Sequence, residues 1–159
     1  MTFLESLFSG SNIYWTTFLF CFTGGLVPVL NTEIYLMSVA ALTTPASMWP
    51  VLFIATSGQL ISKTLVYLAG RGVIRFPLKR YENKMELVKE KFDQWKNAPY
   101  LFIFISAFAG IPPFYAVTFF AGLIRLNLTK FLIVGFLGRF LRFALAVQLP
   151  QLFTKIFDL

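Results

Sequence analysis

Four charged side chains stand inside or beside long apolar runs: Glu33, Lys63, Arg139 and Arg142. A charge at the centre of a membrane helix costs about 2.5–3.5 kcal/mol on the insertion scale, so such residues pair or line an aqueous cavity. Three cations and one carboxylate suit the holding of an anion. Guanidinium groups in particular present paired donors in a plane that matches phosphate. Arg139 and Arg142 lie three apart and share a helix face, which Gly135 and Gly138 make narrow. Glu33 has two readings, a proton-taking working charge or a structural ion pair with one of the cations. Lys63 and Arg142 are also placed to snorkel toward the interface. Arg71 and Arg125 read as interfacial anchors.

The elements that would position these charges are apolar and broken in two places. The first break is GGLVPVLNTEIYL, with Pro28 and Asn31 ahead of Glu33, and the second is AGIPPFYA, with Pro112 and Pro113 adjacent. Proline removes a backbone donor and ends a helix. At membrane depth such backbone survives only where protein or water satisfies the freed groups. Both breaks therefore read as tips of re-entrant hairpins. The expected organisation is a single all-α membrane domain over 1–159, an interfacial segment over 1–12 leading in. A first repeat follows over 13–70, with hairpin 13–45 and spanning helix 48–70. A basic amphipathic linker occupies 71–98. A second repeat follows over 99–149, with hairpin 99–124 and spanning helix 128–149, where Pro150 ends or kinks the helix before the tail 150–159.

Charge gives the orientation. The chain has 159 residues and a formal charge of +7, yet only 13% of its residues are charged and 57% are hydrophobic. That apolar share exceeds the ~45–50% of soluble domains. Eight of the 14 cations fall between Arg71 and Lys96, which places that stretch on the cytoplasmic side. Met85, Val88, Phe92 and Trp95 give it one apolar stripe. With 71–98 inside, helix 48–70 runs inward and helix 128–149 outward, so the halves form an inverted repeat. Ser62-Lys63-Thr64-Leu65-Val66-Tyr67 faintly echoes Gly138-Arg139-Phe140-Leu141-Arg142-Phe143.

Several chemistries are excluded. There is no histidine, and Cys21 is the one cysteine, so a His-based triad, a His-ligated metal and an intrachain disulfide are ruled out. Cys21, in FLFCF, reads as a small buried hydrophobe. No metal site, cofactor or catalytic residue is expected, and an enzyme is disfavoured. Nucleic acid is also disfavoured, because much of the positive charge sits in one loop beside the membrane. The N-terminal MTFLESLFSGSN lacks a basic n-region, which argues against a cleaved signal peptide.

The order of motifs resembles the DedA family of membrane proteins, also known by its VTT or SNARE-associated Golgi domain. The carrying residues are a proline break before Glu33, then GQLISKTLVYLAGR, then GIPPFYAVTFFAG, Phe131 and GFLGRFLRF. Ser62 and Lys63 replace a glycine and an aspartate usual there, and SAFAGIPPF lacks both arginines of the common R-F-I-P-G-x-R signature. The ending resembles a smaller, divergent branch of YqaA type. The resemblance implies lipid handling: movement of polyprenyl phosphate or phospholipid between leaflets, with membrane lipids as partners, a bacterial inner-membrane location and proton coupling as a further option. Glu33, Lys63, Arg139 and Arg142 are then the substrate-binding candidates. A homodimer is plausible on the residues alone, since few spanning helices shelter two hairpins. A small ion or solute transporter and a non-transporting scaffold remain the alternatives.

Overall fold

Glycine and proline punctuate this chain, and its helices follow the punctuation. The computed structural model describes residues 12–27, 30–43, 45–72, 90, 94 and 98–156, and among them every regular element is helical. The helices are α1 (Asn12–Leu26), α2 (Thr32–Leu42), α3 (Pro45–Gly70), α4 (Pro99–Ala109), α5 (Phe114–Leu123) and α6 (Leu128–Ile156). Pro28, residues 1–11 and most of the linker 71–98 lie outside the described residues, although Glu90 and Gln94 are helical and exposed.

Among the described residues two stretches are long and apolar enough to cross a membrane, Ser47–Gly70 of α3 and Leu128–Leu149 of α6. With 26 residues, α3 is about 39 Å long at 1.5 Å per residue, more than a ~30 Å hydrocarbon core. The last helix does not end at Pro150; it continues to Ile156. A single proline deletes one donor and strains one turn at a cost of about 3 kcal/mol, which a long helix absorbs. Pro50 sits inside α3 in the same way.

The described residues fall into two compact units, one within Met1–Gln59 and Phe140–Leu159, the other within Leu60–Arg139. Each contains one pair of short helices and one part of each long helix. In the first unit the pair is α1 and α2. Each shows a single buried stripe at helical spacing, Ile13, Thr17 and Cys21 on α1 and Leu36, Val39 and Ala40 on α2. They close on Val51, Leu52, Ala55 and Phe143. Thr17 and Tyr35 share a hydroxyl hydrogen bond of 3.1 Å, and the Tyr35 ring stacks on Phe20. Cys21 is a free, buried thiol.

In the second unit α4 and α5 pack together, and α5 is buried on all sides from Phe114 to Gly122. A helix that is apolar all round belongs in the interior. Its packing is close enough to exclude side chains. A Cβ on Gly70 would collide with the Phe119 carbonyl oxygen, and one on Gly122 with that of Tyr67. The reciprocal glycines let the backbones of α3 and α5 touch, as small residues do where membrane helices cross. Gly138 of α6 does the same against α4, where a Cβ would stand 3.0 Å from the Phe104 carbonyl oxygen. The Tyr67 hydroxyl donates to the carbonyl of Leu126, tying α3 to the turn that leads into α6. Phe131 is fully buried and packs its ring on Tyr67 and Phe114.

Candidate functional site

The first unit carries an ion pair at the start of α2. The chain leaves α1 with Val27 N–H bonded to the Thr23 carbonyl, and Leu30 N–H bonds the Val27 carbonyl. Asn31 then caps α2. Its side-chain oxygen accepts from the N–H groups of Glu33 (3.1 Å) and Ile34 (3.3 Å). The cap satisfies donors that a helix start leaves open, and a carboxylate in the first turn answers the positive end of the helix dipole. The carboxylate of Glu33 also accepts from Arg142 Nε, and the two side chains are 30% and 26% exposed. A buried bond from Gln59 Nε2 to Thr32 Oγ1, 2.8 Å, fixes the same turn to α3. Glu33 thus enters an ion pair 109 residues away in sequence, one of its two readings.

The second unit gathers cations at the start of α5. Hydrogen bonds within the chain satisfy part of its break, as an apolar setting favours. Gly110 ends α4 in the left-handed region at φ 76°, where glycine is free of the Cβ penalty. Its N–H bonds the Ser106 carbonyl, and the Ser106 hydroxyl donates to the Pro112 carbonyl at 2.7 Å. The Ile111–Pro112 peptide is cis. Pro113 occupies the N-cap of α5 without a side-chain cap. The next two residues, Phe114 and Tyr115, form an aromatic platform. Lys63 Nζ lies 4.9 Å from the Tyr115 ring centre, and the Arg139 guanidinium lies 4.9 Å from that of Phe114. Such contacts stabilise a cation by about 0.5–2 kcal/mol, more as water is removed.

Lys63 is 4% exposed, so it does not reach outward from α3. Two cations thus converge on the first turn of a helix whose dipole is positive at that end. Hydrogen-bond donors, two positive charges and a helix N-terminus together favour an anion with several oxygens.

Of the four charges singled out in the sequence, Glu33 and Arg142 meet in one unit, and Lys63 and Arg139 flank one platform in the other. Arg139 and Arg142, though three apart, therefore engage different partners. Asn31, Pro112 and Pro113 stand at the two breaks. Arg71 and Arg125 are exposed, the latter at φ 55° in the turn after α5. Sequence reasoning missed the platform Phe114–Tyr115 and the Gln59–Thr32 tie. The platform had a signal, two aromatic residues directly after two prolines. Among the described residues no group of acidic or cysteine side chains could hold a metal.

A family model described as VTT domain matches residues 27–151. That stretch contains Pro28, Asn31, Pro112, Pro113 and all four charges. No curated protein and no solved structure matches the chain.

Proposed function

The chain belongs to the VTT domain family, the DedA membrane proteins, and on that premise we propose that it moves lipid phosphates between the leaflets of a membrane. The observation that carries the reading is the pair of cations, Lys63 and Arg139, held over Tyr115 and Phe114 at the first turn of α5. A phosphate that crosses a bilayer must exchange its water shell for donors and positive charge at depth, since an ion in hydrocarbon costs many kcal/mol. Guanidinium, ammonium and a helix start supply those in one place.

In this reading the two breaks are re-entrant tips, and the two hairpins with their spanning helices are inverted halves of a transporter, not parts of an enzyme. The Glu33–Arg142 pair differs from the Lys63 and Arg139 site, being a cation answered by a carboxylate of the chain itself. The partner is an anionic membrane lipid, and a bacterial inner membrane suits a polyprenyl phosphate. Lipid-facing side chains such as Trp15, Leu19, Ile34 and Met37, all exposed on the hairpin of α1 and α2, suit a second copy as well as lipid.

The test is reconstitution in liposomes with a fluorescent lipid phosphate followed between leaflets. The native chain should transport above empty liposomes, and Arg139→Gln should fall to background while remaining folded. Transport of neither polyprenyl phosphate nor phospholipid by the native chain would overturn the proposal in favour of a solute transporter or a scaffold.

A further inference from the structure

We propose that an apolar groove between α3 and α6 holds a hydrocarbon chain of the same lipid whose phosphate Lys63 and Arg139 receive; the inference rests on the lipid-phosphate reading above. The groove is open, about 330 Å³ in volume, and lined by Leu60, Leu132, Ile133, Phe136 and Leu137. That is near the low end of the ~300–1,000 Å³ of small-molecule sites, room for one chain segment.

Its position relative to the cations sets it apart from ordinary lipid-facing surface. Leu60 and Lys63 are three apart on α3, and Phe136 and Arg139 are three apart on α6. Each helix thus carries a cation one turn from a groove residue. The two regions also meet physically. The Phe114 ring beneath Arg139 and the side chain of Leu60 both press on Gly135, at 3.2 and 3.7 Å from where a Cβ would stand. The ring that seats the guanidinium and a wall of the groove therefore abut the same turn of α6.

The lining decides the occupant. Five apolar side chains offer nothing to a soluble anion. In a bilayer an untethered chain gains little there either, because surrounding lipid is as apolar as the groove. A chain whose own phosphate is held one turn away is different. Its presence at the groove is set by the tether, and the high effective concentration fills a site that free lipid occupies only in passing. Long-chain phosphates should therefore occupy the groove, and long-chain alcohols should not.

The experiment uses the full chain in nanodiscs with a lipid phosphate carrying a photoreactive diazirine in its chain. Adducts are mapped by mass spectrometry. The expected result is labelling at Leu60 and at 132–137, suppressed about tenfold by excess unlabelled lipid phosphate but not by the alcohol of the same chain. Filling the groove with Leu137→Trp, or with Ile133→Trp, should abolish that labelling. Both positions are more than half exposed, so the fold should tolerate them. Binding of a short-chain, water-soluble alkyl phosphate should be unchanged in these variants. Equal suppression by the alcohol would show passing lipid only and overturn the inference. So would labelling elsewhere while the native chain still binds lipid phosphate, and that outcome leaves the phosphate reading standing. No binding of lipid phosphate by the native chain would remove the reading itself.

Discussion

The hairpin of α1 and α2 and the hairpin of α4 and α5 have the same grammar and opposite electrostatics. Each is a helix, a proline-bearing break and a second helix of about three turns. In the first, the second helix begins with its own acceptors. Asn31 caps it, Glu33 stands in its first turn, and Arg142 answers Glu33. In the second, the helix begins with a proline that offers no side-chain cap, and two cations stand over its first two side chains. Helix starts attract negative charge in either case. One hairpin supplies that charge from its own chain, and the other presents more positive charge. The lesson is that matching folds need not mean matching charge, since the first start carries a carboxylate of its own and the second stands beside two cations.

The burial of the two second helices differs in the same sense. One stripe of α2 is covered, whereas α5 is enclosed along nearly its whole length. The sharpest break of the comparison should therefore come from α5. Gly122→Val forces a branched side chain against the Tyr67 carbonyl, where backbone must move. A loss of about 3 kcal/mol or more is expected, seen as failure to fold or a collapse of thermal stability in detergent. A similar stability for Gly122→Val and the native chain would mean that α3 and α5 do not cross so closely.

A smaller effect is expected in the first hairpin. Glu33→Gln and Arg142→Gln each remove one partner of a partly exposed pair. A double-mutant cycle on thermal stability should give a coupling of about 1–2 kcal/mol. Additive losses would show that the pair is incidental. Smaller again is the cap. Asn31→Ala should cost about 1 kcal/mol, with Asn31→Asp retaining the native stability. At the second start, Tyr115→Leu should lower affinity for a lipid phosphate only a few-fold, the share of one cation–π contact, which equilibrium binding to nanodiscs would measure.

Much of the architecture was legible in the sequence because glycine and proline write helix ends directly. GGLVPVLN and AGIPPF mark the two breaks, and the long apolar runs mark the helices that can cross. The motif residues Tyr67, Gly70, Gly122 and Phe131 stood out as a family pattern, and the structure gives them a packing reason. Other features were hidden. An apolar run does not tell protein-facing from lipid-facing positions, so the enclosure of α5 had no sequence signal. The partner of Glu33 lies 109 residues away, beyond any local spacing rule. Helical spacing grouped Arg139 with Arg142, yet long side chains from neighbouring turns diverge to different partners. Pro150 read as an end or a kink because propensity is local, and the helix around it continues to Ile156.

The most direct measurement is the binding of a long-chain lipid phosphate and of the alcohol with the same chain to the native protein in nanodiscs, repeated with Lys63→Gln and Arg139→Gln combined. The phosphate should bind the native chain at least about tenfold more tightly than the alcohol, the share of a charge-assisted contact, and the double variant should erase that preference. An undiminished preference in a folded double variant would contradict the assignment of the phosphate to the start of α5.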